Sequence, residues 1–224
     1  MARNDLSPTR HPVKVSEATI QRLPVYLYRL QALQKQGVRR VSSRDLADAV
    51  RVKAAQLRHD FRQFGGFSRP GQPYDVDHAV RRLREILGLA VPVDCVIAGL
   101  GNLGQAIASY GQFAQDGFNL VGLFDINPKL VGYSIRGITI EDIDAMPAFI
   151  SQRGVQLGII AVPPEAAQSV AEQMAGAGIR GIWNFAPVDL RLPPRVVLHD
   201  EFLSVGIMSL RYKVKAMLEN GGGF

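Results

Sequence analysis

Cysteine is nearly missing from this chain: the single one, Cys95, cannot close an internal disulfide. It stands in the apolar run 91–100, where a buried thiol is the expected role. No apolar stretch approaches the roughly 18 to 20 residues that span a bilayer, and the polar opening, residues 1–11, has none of the hydrophobic core of a secretory signal. A cytoplasmic chain without a membrane partner is expected. Cys and His never gather at ligand spacing, so no metal is expected. Acid–base candidates are few: Tyr110 and His199 belong to no recognisable pair, so a structural or ligand-contacting role is expected of each, and no catalytic residue is assigned.

What is present is ordinary globular material, 47% hydrophobic and 21% charged over 224 residues, enough for two cores. The charge is not evenly spread. Residues 1–90 carry 17 Lys/Arg against 8 Asp/Glu, a surplus of nine, whereas residues 91–224 carry 9 against 12. A basic module beside a mildly acidic one is the electrostatic footprint of nucleic-acid binding, because neutralising phosphates supplies most non-specific affinity.

In the basic module Ser16 is placed to cap a helix with Ile20, Leu23, Leu27, Leu30 and Leu33 on one face, ending at Gly37, with Pro24 as a late start or a kink. Ser42 with Asp45 opens a short helix bearing Leu46, Ala47 and Val50. After a break at Arg51-Val52, residues 53–64 read as a third helix that buries Leu57, Phe61 and Phe64 and exposes Lys53, Gln56, His59 and Arg62. This is a helix-turn-helix pattern with long donors on the outer face; a three-helix bundle with a solvated face is the plain alternative. Three glycines and two prolines around Arg69, in residues 65–74, read as a hairpin wing that favours the first reading. The DNA-binding candidates are Ser42, Ser43, Lys53, Gln56, Arg58, His59, Arg62 and Arg69. A linker helix then runs from Asp75 to Gly88 through Val80, Leu83, Ile86 and Leu87.

The second module opens with an apolar strand, 93–98, that runs into Gly99-Leu-Gly-Asn-Leu-Gly104 and a helix over 105–115. The first glycine permits a tight turn, the second a close approach of pyrophosphate, the third close helix–strand packing. A strand over 119–124 ends at Asp125, 21 residues after Gly104, where an acid bonds a ribose diol and repels a 2′-phosphate, favouring NAD over NADP. Strands over 157–162 and 181–185 alternate with a helix over 164–177, and their ends, Val162-Pro163 and Ala186-Pro187, fall where such sheets bind ligands. Cofactor candidates are Gly99, Leu100, Gly101, Asn102, Leu103, Gly104, Tyr110, Asp125, Val162, Pro163, Asn184, Ala186 and Pro187. The last segment is an amphipathic helix with Ile207, Leu210, Val214 and Leu218 on one face, which needs a groove that a second subunit could supply.

These motifs together resemble the Rex family of redox-sensing transcriptional repressors from Val15 to about Leu218: Ile20-Gln-Arg-Leu-Pro-Val-Tyr-Leu27, Val41-Ser-Ser43, Gln56-Leu-Arg58 with Asp60, the glycine motif, Phe124-Asp125, Val162-Pro-Pro-Glu-Ala-Ala-Gln168 and Asn184-Phe-Ala-Pro-Val188. The resemblance implies a winged-helix DNA-binding domain at 1–88, a Rossmann-type parallel-sheet domain for NADH and NAD at 89–203, and a dimerisation helix at 204–224 exchanged between the subunits of a homodimer. It implies that NADH releases an inverted-repeat operator, and that Tyr110 sits near the nicotinamide. An NAD-dependent oxidoreductase, or a regulator responding to another adenine nucleotide, is the alternative. The chain departs from the family at the switch, with Tyr28 in place of an arginine and Phe202 in place of an aspartate; Arg29 and Asp200 or Glu201 are one or two places off. It departs also at the DNA face, with His59 for a Lys or Arg, Arg62-Gln63 for Ser-Tyr, and Pro70 at the wing arginine. NADH is still expected to antagonise DNA binding, but with weaker discrimination against NAD.

Overall fold

Ser16 Oγ accepts a bond from the Thr19 amide at 3.2 Å and starts α1, Glu17–Lys35, which runs through Pro24 without ending there. The computed structural model describes residues 15–69 and 71–219; residues 1–11 of the polar opening and Pro70 of the wing lie outside them. β1 (Arg40–Val41) leads to α2 (Ser43–Ala49), whose first turn is capped by Ser42 Oγ accepting from the Asp45 amide at 3.1 Å. Arg51, at φ 57°, turns the chain into α3 (Ala54–Phe64). Leu57 and Phe61 of α3 are buried and Phe64 half-buried, as the helical spacing requires.

The wing differs from the expected hairpin. Residues 65–69 and 71–73 hold no strand of their own, and Gly65, Gly66 and Gly71, at φ 64°, 76° and 78°, carry them as a loop. The loop is closed instead by β2 (Tyr74–Asp75), which pairs antiparallel with β1 from before α2. Asp75 then caps α4 (Val76–Ile86) by accepting from the His78 amide at 2.8 Å. Leu23, Tyr26, Leu27 and Leu30 of α1 meet Leu46, Leu57, Phe61 and Leu83 in one core.

The chain divides into two compact units between Val91 and Pro92. The second is a seven-stranded sheet: β3 (Val93–Ala98), β4 (Phe118–Asp125), β5 (Ser134–Ile135), β6 (Ile138–Asp142), β7 (Leu157–Ile160), β8 (Gly181–Asn184) and β9 (Val197–Asp200). Their order is β5-β6-β4-β3-β7-β8-β9, parallel except for the β5–β6 pair. Without β5 this is the doubly wound dinucleotide-binding order, and the side on which successive strands are added switches between the parallel neighbours β3 and β7. Alternate residues serve the two faces. Val96, Ala98, Phe124 and Ile160 pack toward α7 (Met146–Arg153) and α8 (Pro164–Ala177), while Ile97, Leu123 and Ile159 pack with Leu100 and Ala108 on the opposite face. Cys95 is buried as expected, and burial pushes its thiol up to about 12.

The helix expected over 105–115 is two pieces. α5 (Asn102–Ser109) begins inside the glycine motif, and Tyr110, in an extended conformation at ψ 103°, breaks it before α6 (Phe113–Asp116). α9 (Leu203–Glu219) ends the described chain, and no residue in it is buried. Among the described residues no helix is long and apolar enough to cross a membrane.

Candidate functional site

Asp60 organises the surface of the first unit. Its Oδ2 accepts from Arg22 Nε at 2.7 Å and Tyr26 OH at 2.8 Å; its Oδ1 accepts from Arg22 Nη2 at 2.9 Å, Gln56 Nε2 at 2.8 Å and, more weakly, Thr19 Oγ1 at 3.3 Å. Burial pushes this carboxyl up, but the bonds from Arg22, Tyr26 and Gln56 outweigh it and hold the group down at about 2. The same carboxylate raises the Arg22 guanidinium, and Tyr26 is raised by burial and by its bond to Asp60. The cluster bolts α3 onto α1 from a distance of 34 to 41 residues along the chain.

Beside it a groove of about 820 Å³ is lined by Ser42 and Ser43 at the start of α2, Arg58 and Arg62 of α3, and Arg69 of the wing loop, over a floor that includes Phe61, Phe67 and Tyr74. Phe67 stacks on Phe61 at 4.0 Å, so the wing loop is anchored by a ring that the sequence reading did not single out. Arg58 Nη1 donates to Ser43 Oγ at 3.2 Å. Lys53 is the residue before α3, exposed, with no capping bond from its side chain. Five of the eight DNA-binding candidates therefore line one groove; Lys53, Gln56 and His59 lie outside its lining, exposed on α3 or just before it. Ala55, also exposed on α3, was not among the candidates.

In the second unit the glycine motif sits at the switch between β3 and β7. Gly99 is at φ 93°, and a Cβ there would lie 2.6 Å from the Ala161 carbonyl; one on Gly104 would collide with the Gly99 oxygen. Gly101 instead faces open space, with nothing within 4 Å of a Cβ position. Asn102, Leu103 and Gly104 open α5, so their amides have no acceptor earlier in the helix. Asp125, at the end of β4, accepts from the Leu100 amide and from the Asn127 amide at 2.7 Å. Gln105, unremarked in the sequence, closes the motif by donating from Nε2 to the Leu100 carbonyl at 2.7 Å. A diphosphate fits here: an open glycine, free first-turn amides and an acid at the neighbouring strand end all face the same sheet edge.

The remaining candidates are spread along that edge. Val162 is half-buried, and Pro163 precedes α8. Asn184 is buried and engaged within the fold: Nδ2 donates to the Ala186 carbonyl at 3.0 Å and Asp200 Oδ1 at 2.8 Å, while Oδ1 accepts from the Ala186 amide at 3.0 Å. It shapes the turn that buries Ala186 and exposes Pro187. Tyr110 is exposed, edge-on to Phe113 at 5.4 Å. His199 lies on β9, 3.7 Å from Glu201. Of the acids that could stand in for the one missing at Phe202, Asp200 is thus already engaged by Asn184, while Glu201 lies 3.7 Å from His199. Tyr28 and Phe202 are exposed, and Arg29 Nε is buried with no hydrogen-bond partner among the described residues.

Residues 92–188 match a family model described as "CoA binding domain", and residues 14–61 one described as "Putative DNA-binding protein N-terminus". The "Redox-sensing transcriptional repressor Rex" of Thermoanaerobacter pseudethanolicus is 43% identical over 201 residues, covering 90% of each chain. Among solved structures, RSP, a Rex-family repressor, in complex with β-NADH superposes with a TM-score of 0.86 at 39% identity, covering 93% of this chain and 98% of that one. RSP in complex with β-NAD⁺ and operator DNA gives 0.84 at 41% identity, covering 92% and 95%. The basic helix-turn-helix unit and the doubly wound sheet are each matched in relatives of nearly the same length, and the chain belongs to the Rex family of redox-sensing transcriptional repressors.

Proposed function

We propose that this chain is a transcriptional repressor that binds an inverted-repeat operator and is released from it by NADH, acting as a homodimer in the cytoplasm without a metal. The observation that carries the reading is that RSP, alike over more than nine-tenths of this chain, was crystallised both with NADH and with NAD⁺ on operator DNA. Its relatives are named as repressors, and the chain is a regulator and not an enzyme.

The groove residues Ser42, Ser43, Arg58, Arg62 and Arg69 would take phosphates, with Lys53, Gln56 and His59 toward the bases. Gly99 to Gly104 would hold the pyrophosphate, Asp125 the adenosine ribose, and Tyr110, Val162, Pro163, Asn184, Ala186 and Pro187 the nicotinamide side. The cofactor supplies no chemistry to a substrate; it biases a dimer between two states, and only its difference in affinity for them can move DNA. α9 supports the homodimer, since Leu203, Ile207, Met208, Leu210 and Tyr212 are all more than half exposed on more than one face of the helix. The test is an operator titration with NADH and NAD added separately to the full chain. NADH should weaken binding and NAD leave it largely intact, and salt should weaken it steeply; indifference to both nucleotides sinks the redox reading. CoA shares adenosine diphosphate with NAD, and the family model's description makes CoA the competitor to include.

A further inference from the structure

Gln56 stands in the first turn of α3 and is exposed, yet its amide is not free to turn over. Nε2 donates at 2.8 Å to Asp60, a carboxylate fully withdrawn from water and fixed by Arg22 and Tyr26 of α1. Asp60, held at about 2, is ionised at any physiological pH and can only accept. An ordinary surface glutamine flips its amide at little cost; here the flip would set oxygen against oxygen. The NH₂ end therefore faces Asp60, and Oε1 is turned away from it.

Resting on the DNA-binding reading above, we propose that Gln56 is a specificity-determining residue that selects one base in each half-site by its exocyclic amine. In the major groove adenine N6 and cytosine N4 are donors at the position where guanine O6 and thymine O4 are acceptors. An outward oxygen fixed in place accepts from the first pair and is repelled by the second. The first turn of a recognition helix is also where base contacts concentrate. Asp60 acts as the positioning residue, since it fixes the orientation of Gln56 without itself reaching solvent.

The experiment selects an operator from random duplexes with the full chain, then replaces each adenine of the half-site by purine and each cytosine by pyrimidin-2-one, one at a time. Each replacement is made at the equivalent position of both half-sites and removes one amine from each. Affinities are measured for the unmodified protein and for Gln56→Ala, with Gln56→Met, which keeps the length but not the oxygen, as the second variant should the first melt early. At one position loss of the amine should weaken the unmodified protein roughly tenfold, as expected for one hydrogen bond lost in each of two half-sites. In either variant that penalty should shrink to about twofold or less. A penalty that survives the variants, or a dependence on Gln56 that falls on a guanine or thymine, overturns the proposal while leaving DNA binding intact. Failure to enrich any inverted repeat overturns the DNA-binding reading itself.

Discussion

Asp60 of the first unit and Asp125 of the second are both withdrawn from water, at 0% and 8% exposure, but they are satisfied in opposite ways. Asp60 accepts from four side chains, Thr19, Arg22, Tyr26 and Gln56, reaching it from two helices. Asp125 accepts from two backbone amides, one on each oxygen. A carboxylate offers about four acceptor positions, so the first is saturated and the second keeps room for further donors. A carboxylate filled by side chains is a clamp between elements. One held by backbone amides is a fixed point with lone pairs to spare, suited to the hydroxyls of a ribose.

The largest expected effect is that of Asp60→Ala, which strands the Arg22 guanidinium and the Tyr26 hydroxyl and should cost the first unit about 3 kcal/mol. Trp183, the only tryptophan, reports the second unit. Under urea the helical circular dichroism should therefore fall earlier than in the unmodified protein, while the Trp183 fluorescence transition stays in place. Both signals moving together would mean that the clamp serves the whole chain and not one unit.

Acid should expose the same contrast. Because the folded value of Asp60, about 2, lies below the ordinary 3.8, its contribution is fully present above pH 4 or so and is lost as pH falls toward 2. The loss should amount to about 2 kcal/mol. Asp60→Asn should flatten that part of the stability profile between pH 5 and 2.5; an unchanged profile in the variant would assign the acid sensitivity elsewhere.

Asp125→Ala should leave the transition of the first unit where it was, lower that of the second by about 1 kcal/mol as the buried Leu100 amide loses its acceptor, and narrow the preference for NADH over NADPH roughly tenfold, the worth of a hydrogen bond to a charged group. Calorimetry with the two cofactors measures it. Equal affinities in the unmodified protein would remove Asp125 from the ribose.

The sequence exposed what is local. The caps at Ser16 and Ser42, the helix start at Asp75, the helical stripes of α3 and α4, and the strand–glycine–helix unit are all written within a few adjacent residues, and each stands where the spacing put it except the helix after the glycines, which begins at Asn102 and breaks at Tyr110. What could not be read is what depends on distant partners. Asp60 is 38 residues from Arg22, and nothing in either neighbourhood marks them as a pair. β1 and β2 are two residues each, too short for any periodicity, so the wing read as a self-paired hairpin. The β5–β6 hairpin, α7 and β9 went unread for a similar reason: short segments acquire their form from the sheet edge and core they join. At the nucleotide edge the residue types were legible, but the bonds that tie Asn184 to Ala186 and Asp200 were not.

The three glycines of the motif between Gly99 and Gly104 have different futures under mutation and drift. Gly99 and Gly104 are held by the protein itself, since any side chain there would strike the Ala161 carbonyl or the Gly99 oxygen, whatever the site binds. Gly101 has an ordinary φ of −65° and open space around it, so nothing in the fold forbids a side chain. Selection at that codon can come only from what approaches it from outside. A descendant that abandoned its nucleotide would keep the outer two glycines and lose the middle one, which makes Gly101 the position whose variation among relatives records whether the ligand is still in use.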